Sequence, residues 1–441
     1  MSILFFFLVL SITVSAPVLS TAFAQPVETI EIASSPNPVG SGARALGMGA
    51  FIAVADDATA ASWNPGGLIQ LERPELSVVG SFFYRSEDNH FVDHPEASGP
   101  QKISKWHFNY LSAAYPFVLL KRNMIVSLNY QNLYDFNRKW TFPLLFPGSS
   151  GLWQVNYKQT GSLAAIGLAY AIQITPHLSL GVTVNGWDDS ISGNGWKQKT
   201  VIGGSGIDAG GDKFFFGSSI KDRYSVEGGI NANIGFLWNI TEKMTLGGVY
   251  KTALKAGLKH RHDTGNSISF PSSPELNTKN IASSKTDESL YLPMSYGIGL
   301  AYRFSDRLTV AADVYRTEWG DFKIETADGR EISPVTGAPI EESSVKPTHQ
   351  VRLGAEYLFI KENYVIPVRG GIFYDPAPAK KNPDSYYGFS LGTGIGIGRF
   401  IFDIAYQYRF GNNVNSAIVR DMGFSQDVRS HTIYSSIIVH L

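Results

Sequence analysis

Cysteine is absent from the 441 residues of this chain, and charged residues are scarce. Without cysteine, disulfide frameworks, thiolate metal sites and cysteine nucleophiles are excluded. Asp, Glu, Lys and Arg make up only 17% of the sequence, and the formal net charge is -1. A near-neutral chain has no basic field that would attract nucleic acid, so no nucleic-acid partner is expected. No motif requires a cofactor, and none is predicted.

Long apolar runs are also missing, except at the N-terminus. After residue 25 the sequence contains no apolar stretch of about 18 residues, the minimum length of a membrane-spanning helix. Residues 3–19 are mostly apolar, and Ala22-Phe23-Ala24 forms a small-x-small cleavage site before Gln25. This arrangement predicts a secretory signal peptide over residues 1–24. No Lys or Arg precedes the apolar run, unlike in the usual signal, and a membrane anchor is the competing interpretation.

The rest of the chain is rich in glycine, with 44 residues, and in aromatic residues, at 13%. Strand-like segments alternate with connections that are short, then long, then short. We predict about fourteen strands, over residues 75–85, 106–117, 124–134, 154–172, 178–188, 223–240, 244–259, 289–304, 308–324, 351–360, 364–374, 386–397, 400–410 and 430–441.

An even number of strands, with connections sorted by length, is typical of a closed bacterial outer-membrane barrel whose short turns face the periplasm. The turns at 305–307 and 361–363 are therefore predicted to be periplasmic. The predicted fold is all-β: a transmembrane antiparallel β-barrel of about 14 strands over residues 73–441. Its predicted place is the outer membrane of a Gram-negative bacterium.

Polarity within these segments alternates with a period of two, as expected for a strand with two different faces. Phe400 and Phe402 share one face, and Asp403 falls on the other. By the same count Val226 belongs to an apolar face and Glu227 to a polar face. We expect the apolar faces to contact lipid and the polar faces to line a lumen.

Before the first predicted strand lies a segment rich in Gly and Ala. Residues 42–49 read GARALGMG, residues 55–59 read ADDAT and residues 63–68 read WNPGGL. Small residues permit close packing and sharp bends, and Asn64 is confined to extended geometry by the proline that follows it. The segment resembles the N-terminal hatch of the FadL family of outer-membrane transporters, except that Gly66 replaces the usual Ala. The hatch candidates are Arg44, Gly47, Gly49, Asp56, Asp57, Trp63, Asn64 and Pro65.

The resemblance implies both a plug and a function. Members of this family are fourteen-stranded barrels whose lumen is blocked by the hatch, which we place at residues 25–72. It implies passive transport of hydrophobic small molecules such as long-chain fatty acids or aromatic hydrocarbons. In relatives a kinked strand near the start of the barrel opens a lateral exit, which this sequence does not locate. Barrels of the PorV type, which serve protein secretion and surface attachment, have nearly the same motif and are the alternative.

The expected partners follow from the same interpretation. They are the hydrophobic ligand, outer-membrane lipid and the barrel-assembly machinery, which often acts on a last strand with an apolar face like the one ending at Leu441. A monomer is expected. No enzyme is predicted, because no convincing Ser/His/Asp set is present, and an outer-membrane hydrolase is a remote alternative. His260 and His262 lie in a polar stretch and are interpreted as solvated, so no metal site is predicted.

The connection at residues 136–153 is unusually apolar for a loop. Its apolar residues and neighbouring cations are Trp140, Phe142, Leu144, Leu145, Phe146, Arg138 and Lys139. Because exposed apolar patches usually bind something, one interpretation is an external groove that captures a lipid tail, with a cation near its head group. The other is a lid folded over the barrel mouth. The family resemblance favours capture, so these residues are candidates for substrate binding.

Several charged residues fall on predicted lumen faces: Glu227, Arg303, Asp313, Arg352, Glu356, Asp403 and Arg409. Such charges more often pair across a lumen and hold wall and plug together. Arg303 and Arg352 are the candidates for binding a substrate carboxylate, since Arg binds carboxylates bidentately. Arg44 is expected to anchor the hatch to lumen acids. The alternating glycines from Gly392 to Gly398 indicate close approach of backbone, in our interpretation to the hatch.

Overall fold

The computed structural model describes residues 41–145, 151–208, 210–416, 419 and 422–441. The predicted signal peptide, residues 25–40 of the predicted hatch and the capture candidate Phe146 lie outside these described residues. The described helices are all short: α1 (Ala43–Met48), α2 (Ala60–Trp63), α3 (Asp189–Ser192) and α4 (Ile340–Ser343), with 3-10 helices at Pro65–Gln70, Pro95–Ala97, Pro274–Leu276 and Trp319–Asp321. None of the helices in these ranges is long and apolar enough to cross a membrane.

The described strands form one sheet. They are β1 (Glu75–Phe91), β2 (Gly99–Leu119), β3 (Arg122–Asp135), β4 (Arg138–Leu145), β5 (Leu152–Thr175), β6 (Leu178–Trp187), β7 (Gly195–Ile207), β8 (Lys213–Asn239), β9 (Met244–Lys251), β10 (Leu254–Ser269), β11 (Thr278–Leu292), β12 (Ser295–Arg303), β13 (Leu308–Thr317), β14 (Lys323–Glu325), β15 (Glu331–Ile332), β16 (Thr348–Ile360), β17 (Tyr364–Tyr374), β18 (Tyr387–Ile397), β19 (Phe400–Val414) and β20 (Phe424–His440).

A closed antiparallel ring of 14 strands forms the barrel, which confirms the predicted fold class. The order around the ring is β1, β2, β3, β5, β6, β8, β9, β12, β13, β16, β17, β18, β19 and β20. The last strand pairs with the first along its length, from Glu75 opposite His440 to Phe91 opposite Phe424. Closure removes the free edges of the first and last strands of the ring, and an unpaired edge facing lipid is what a membrane-spanning sheet must avoid.

The period-two pattern separates an apolar outer face from a polar inner face. In β16, Val351 is 50% exposed and Leu353 is 47% exposed, whereas Arg352 between them is 4% exposed. The same alternation places Phe400 and Phe402 outside and buries Asp403 inside, as predicted. Charged side chains therefore point inward because the outer face must be compatible with lipid.

Several segments predicted as loops are strands that extend the barrel wall beyond the ring. The predicted loop at 136–153 contains β4, which pairs with the first half of β5. The polar stretch before residue 223 contains β7 and the first half of β8, which pair with each other. Backbone pairing does not depend on side-chain polarity, so a polarity pattern set by lipid does not reveal strands that stand in water.

Two of the predicted strands are each divided in two. The segment 244–259 is interrupted after Lys251, and its second part, β10, pairs with β8 and β11 rather than continuing into the ring. The segment 289–304 is interrupted at Pro293, which has no N–H to donate to a ladder. The segment 308–324 ends as a strand at Thr317 and continues into a 3-10 turn. The predicted number of strands in the ring is unaffected, because these changes all lie at the long-loop end of the barrel.

A bulge in β8 reverses the faces predicted for its upper half. The pairing of β8 with β10 shifts register beside Gly228, whose φ is 54°. As a result Val226 is buried, at 1% exposure, and Glu227 is exposed and pairs with Lys259. Glu227 is therefore not a lumen charge, and that prediction was wrong. A single extra residue in a strand moves every later side chain to the other face.

Candidate functional site

The N-terminal segment, residues 41–71, lies against inward-facing side chains of the barrel wall. Polar side chains from separate strands donate hydrogen bonds to its backbone carbonyls. The donors are the hydroxyl of Tyr110 to Ala58 at 2.7 Å, of Ser179 to Gly66 at 2.7 Å, of Thr183 to Ala61 at 2.7 Å and of Ser390 to Gly47 at 3.1 Å. These bonds account for much of the inner polarity, because a short, irregular segment leaves many carbonyls without an internal partner.

Asp313 of β13 provides the matching acceptor. Its Oδ2 accepts the backbone N–H groups of Phe51, at 2.6 Å, and Ile52, at 3.0 Å. Asp313 was predicted as a lumen charge, and the structure places it under the N-terminal segment rather than in an open channel.

The turn at Trp63, Asn64 and Pro65 holds the segment in shape. The Asn64 amide Nδ2 donates to the carbonyls of Ile52, at 2.8 Å, and Phe236, at 2.9 Å. Its Oδ1 accepts the N–H of Gly66 at 3.1 Å and begins the 3-10 helix that follows. One side chain therefore joins two parts of the segment to β8.

Glycine on both sides permits backbone contact between segment and wall. A Cβ added to Gly47 would lie 2.9 Å from the Cα of Gly392, below any normal contact distance. Gly49 has a φ of 83°, and a Cβ there would lie 3.3 Å from the Cα of Gly371. The close approach indicated by Gly392 therefore occurs at the N-terminal segment.

A chain of ion pairs fixes the other end of the segment. Arg44 donates from Nε and Nη2 to the two oxygens of Glu356, at 3.1 and 2.9 Å, and also pairs with Asp56. Glu356 accepts from Arg369 at 2.5 Å, and Arg369 pairs with Asp403 at 2.5 Å. Sequence reasoning placed Arg44, Glu356 and Asp403 correctly in the lumen. It missed Arg369, which inward parity in β17 would have revealed.

Asp57 lies at the base of the segment and does not join this chain of pairs. Its Oδ1 accepts the N–H of Thr59 at 2.8 Å. Burial raises the pKa of Asp57 to about 6, and the nearby Glu75 carboxylate adds to the increase. Glu75 in turn accepts the N–H of Ala58 at 2.9 Å. Asp57 therefore acts within the segment's own fold.

The two arginines predicted to bind a carboxylate lie in different places. Arg303 is exposed at the short-turn end and donates to the carbonyl of Glu242 at 2.8 Å, away from the other lumen charges. Arg352 is buried, with Nη2 3.7 Å from Asp375. Within the described part of the chain neither terminal nitrogen of Arg352 has a hydrogen-bond partner. Asp375 is shared with Arg409 at 2.9 Å.

The apolar residues of the predicted capture loop are buried, not exposed. Trp140, Phe142 and Leu144 are 2%, 5% and 1% exposed. They pack in an outer cluster with residues of the neighbouring long loops, namely Phe91, Ala97, Trp153, Val155, Tyr157, Ile202, Val419, Met422 and Phe424. The external groove was therefore wrong as a description of this surface. Whether substrate enters between these packed side chains stays a prediction.

The two cations of β4 differ in burial, and the last residue of the strand is exposed. Arg138 is buried, pairs with Glu87 at 3.1 Å and covers the Trp140 ring at 4.7 Å. Lys139 and Leu145 are exposed. Arg138 thus helps to close the outer cluster, and of the described members of the predicted set in this loop only Lys139 and Leu145 face solvent.

A second apolar layer, the middle cluster, lies further into the barrel. It is formed by Leu133, Tyr134, Phe136, Leu163, Ala165, Trp187, Trp196, Tyr224, Val226, Leu254, Ala256, Leu258, Leu290, Leu292, Trp319, Phe322, Ile324 and Val335. For most of these residues the polarity pattern did not predict a side chain that points into the barrel, so the sequence analysis missed the cluster.

A cavity of 170 Å³, the lumenal cavity, adjoins this layer, and one of its lining side chains packs against the N-terminal segment. Leu133 and Tyr134 of the middle cluster line it, and so does Tyr434, which packs against Ala43 and Leu46 of the segment. Its other walls carry the polar side chains of Arg85, Asn109, Asp135, Asp375 and Arg409. A cavity of about 150 Å³ is large enough for one benzene molecule.

The barrel wall is interrupted beside this cavity. Pairing between β2 and β3 ends at Tyr110 opposite Gln131, although β3 continues to Asp135. The ladder from β3 to β5 shifts register between Asn132 and Tyr134. His107 lines both the lumenal cavity and a second cavity of 500 Å³ that Trp106, 78% exposed, also lines. This wall break therefore lies between the lumenal cavity and the outer surface.

Comparison with known proteins gives both a family and a fold. A family model described as outer membrane protein transport protein (OMPP1/FadL/TodX) matches residues 33–416. A FadL homologue from Pseudomonas aeruginosa is similar with a TM-score of 0.59 and 13% identity, covering 93% of this chain and 100% of that one. The Pseudomonas putida toluene transporter TodX has a TM-score of 0.54 and 14% identity, covering 91% and 98%.

A third solved structure, the CymD monoaromatic hydrocarbon channel, has a TM-score of 0.53 and 17% identity, covering 92% of this chain and 99% of that one. At such identities the likeness to these structures establishes the fold alone. No curated protein sequence matches the chain.

Proposed function

Because the chain belongs to the OmpP1/FadL/TodX family of outer-membrane transport proteins, we propose a route by which it carries a hydrophobic small molecule through the barrel wall. The family transports hydrophobic compounds, such as aromatic hydrocarbons and fatty acids, through the outer membrane. The observation that carries the route is the lumenal cavity, which is lined by residues of the middle cluster, by Tyr434 beside the N-terminal segment, and by Asn109 and Asn132 at the wall break.

The route begins at the outer cluster. A hydrophobe partitions between the packed side chains of the cluster. It replaces contacts among apolar side chains with its own apolar contacts, so no polar group has to be dehydrated. The molecule then passes the middle cluster and enters the lumenal cavity. Lys139 and Leu145 at the exposed edge of β4 are the first residues it meets.

The N-terminal segment directs the molecule sideways. We propose residues 25–72 as a hatch domain that blocks the straight path to the short-turn end, and the described part supports this with its contacts to many strands. The wall break beside His107 and Asp135 is the proposed exit towards the membrane. Removal of residues 1–24 as a signal peptide belongs to the same proposal.

The cavity size indicates the class of substrate. A space of 170 Å³ fits one aromatic ring or a short length of alkyl chain. CymD is a monoaromatic hydrocarbon channel and TodX is a toluene transporter. Toluene-sized hydrocarbons, and fatty acids that thread one end through the cavity, are therefore the substrates we propose.

The remaining features of the proposal need no catalytic group. We propose a passive, monomeric transporter without enzymatic activity, inserted by the barrel-assembly machinery and surrounded by outer-membrane lipid. Its apolar outer face supports lipid contact. In the second half of the last strand, Ile433 and Ile437 are exposed on that face.

The test is uptake of labelled toluene and of a labelled long-chain fatty acid by cells with and without the chain. We expect Trp140→Ala combined with Phe142→Ala to lower uptake severalfold, because the outer cluster loses two buried rings, each worth about 3–5 kcal/mol of packing. The matched control removes two membrane-facing aromatics, Phe304→Ala with Phe359→Ala, 56% and 49% exposed. Surface labelling and heat-modifiable migration measure assembly of both variants.

Three outcomes would contradict the proposal. Equal uptake with and without the chain would show that the chain does not transport these compounds. Unchanged uptake in the Trp140 and Phe142 variant, with assembly intact, would make the outer cluster a lid rather than an entrance. Loss of a surface-protein cargo without loss of uptake would favour the secretion role of PorV-type barrels.

A further inference from the structure

A cluster of histidine and carboxylate side chains at the long-loop end has no part in the proposed route. His260 and His262 lie on β10, opposite Asp222 in the extended part of β8. His260 Nε2 is 2.9 Å, and His262 Nδ1 is 2.6 Å, from the same oxygen of Asp222, Oδ1. The ligand atoms that the three residues offer lie within 4.8 Å of one another.

Asp222 is not satisfied by these contacts. The residue is 1% exposed, and within the described part of the chain its second oxygen, Oδ2, has no hydrogen-bond partner. A buried carboxylate oxygen without a partner is unfavourable unless a cation or a donor neutralises it. The two imidazole nitrogens converge on Oδ1, so a cation held between them would be coordinated by Oδ1, and it would neutralise the carboxylate whose Oδ2 has no partner.

Glu288 of β11 fixes the orientation of His260. The Glu288 carboxylate is 3.0 Å from His260 Nδ1, and the hydroxyl of Thr286 donates to the same carboxylate at 3.0 Å. A carboxylate that accepts the proton of one imidazole nitrogen leaves the other nitrogen available as a ligand. Here that nitrogen is Nε2, which faces Asp222. The Tyr224 ring, stacked on His260 at 4.2 Å, holds the imidazole plane.

The cluster is open to solvent on one side. A cavity of 400 Å³ reaches both histidines and Glu288 and is covered by the hairpin residues Thr326 and Asp328. An ion can therefore enter from the outside, and a water molecule has room at a fourth coordination position.

We propose that Asp222, His260 and His262 bind one divalent transition-metal cation of the zinc class, with Glu288 as a positioning residue. Imidazole ligands favour zinc, copper and nickel over magnesium and calcium. Zinc bond lengths of about 2.0–2.2 Å place tetrahedral donors roughly 3.4 Å apart. The two imidazole nitrogens lie 2.9 and 2.6 Å from Asp222 Oδ1, and the three ligand atoms all lie within 4.8 Å of one another, so side-chain movements alone would bring them to zinc distances. The ion would tie β8 to β10, and this inference does not depend on transport.

The experiment measures bound metal on the purified full-length protein in detergent. After dialysis against buffered free zinc, mass spectrometry should count one zinc per chain, and magnesium should not compete. His260→Ala with His262→Ala should weaken binding at least about tenfold, and Glu288→Gln about tenfold with the stoichiometry unchanged. Cobalt in place of zinc should give the visible absorption of a tetrahedral site, which the double variant should lose.

The matched control is His90→Ala with His94→Ala, which removes one histidine from the end of β1 and one from the connection after it, where His94 pairs with Glu96 at 3.1 Å. This control should bind zinc like the unaltered protein. Absence of zinc from the unaltered protein, or equal binding by the two double variants, would overturn the site. Glu288→Gln keeps the fold-determining residues, so a normal affinity in that variant would overturn the positioning role even if the histidine variant misfolds.

Discussion

Asn64 makes three hydrogen bonds through one side-chain amide, in a segment with little regular structure. Two of its partners, Ile52 and Gly66, belong to the N-terminal segment, and the third is the Phe236 carbonyl of the wall. Loss of the amide would leave buried backbone groups without partners, each at a cost of about 1–3 kcal/mol.

We therefore expect Asn64→Ala to loosen the N-terminal segment while leaving the barrel closed. Amide hydrogen exchange should accelerate at least about tenfold within residues 41–71, since tenfold corresponds to about 1.4 kcal/mol. The strands of the ring should exchange as before. Asn280→Ala, at an exposed position of β11, is the control. Unchanged exchange in the Asn64 variant would show that the amide does not hold the segment.

Lys251 is a buried residue that the sequence did not indicate as functional. It is 6% exposed on β9 and lines a small cavity with Tyr134, a residue that also lines the lumenal cavity. The described residues supply no salt bridge to it. A buried ammonium group without a counter-ion is costly, and an incoming carboxylate would offset that cost.

Lys251→Met should therefore separate two classes of substrate. We expect uptake of a fatty acid to fall about tenfold, equivalent to about 1.4 kcal/mol, and uptake of toluene to remain unchanged. Lys158→Met alters an exposed lysine of β5 and should change neither. An equal fall for both compounds would mean that Lys251 supports the wall rather than recognising a head group.

At the scale of elements, the wall break is the feature that separates this barrel from a uniform ring. β2 and β3 pair as far as Tyr110 and Gln131, and the next positions, Asn109 and Asn132, are joined by one side-chain hydrogen bond of 3.4 Å. Backbone pairing would otherwise seal this position, because a continuous ladder leaves no gap for a ligand.

A disulfide across the break should close the proposed exit. Since the chain has no cysteine, Asn109→Cys with Asn132→Cys would introduce its only thiols. We expect oxidation to lower toluene uptake about tenfold or more and reduction to restore it, a tenfold change being about 1.4 kcal/mol in barrier height. Val310→Cys with Ala355→Cys bridges an intact ladder and is the control. Full uptake with a complete Asn109–Asn132 bridge would place the exit elsewhere.

At the scale of the whole molecule, the barrel forms the membrane-spanning wall, and the N-terminal segment is the proposed plug. The ring of 14 strands is closed by pairing of β1 with β20, and the N-terminal segment supplies none of its strands. A lumen of this width would pass small polar solutes if nothing filled it. The inward polar side chains that bind the segment would then face water.

Deletion of residues 25–62 should therefore leave a folded barrel that conducts ions. Single-channel recording in a planar bilayer should show discrete steps for the deleted form and near-zero conductance for the intact form. Heat-modifiable migration would confirm that both forms are folded. Near-zero conductance in both forms would show that the segment is not the plug.

The sequence alone determined the barrel, because each of its signals is local. Strand polarity alternates wherever one face meets lipid, short turns recur at one end, and residues 42–68 carry the family motif. These patterns predicted the number of strands in the ring and the anchoring of Arg44 to a lumen acid. They also identified Asn64 and Pro65 as a turn.

Tertiary structure decided what lies inside the outer half of the barrel. There the strands stand in water or pack on one another, so polarity no longer reports which way a side chain points. The bulge at Gly228 buried Val226 and exposed Glu227, and packing of several long loops buried Trp140 and Phe142. The wall break and the pairing of His260 with Asp222 join residues distant along the chain, and no local pattern encodes a contact that only the closed sheet creates.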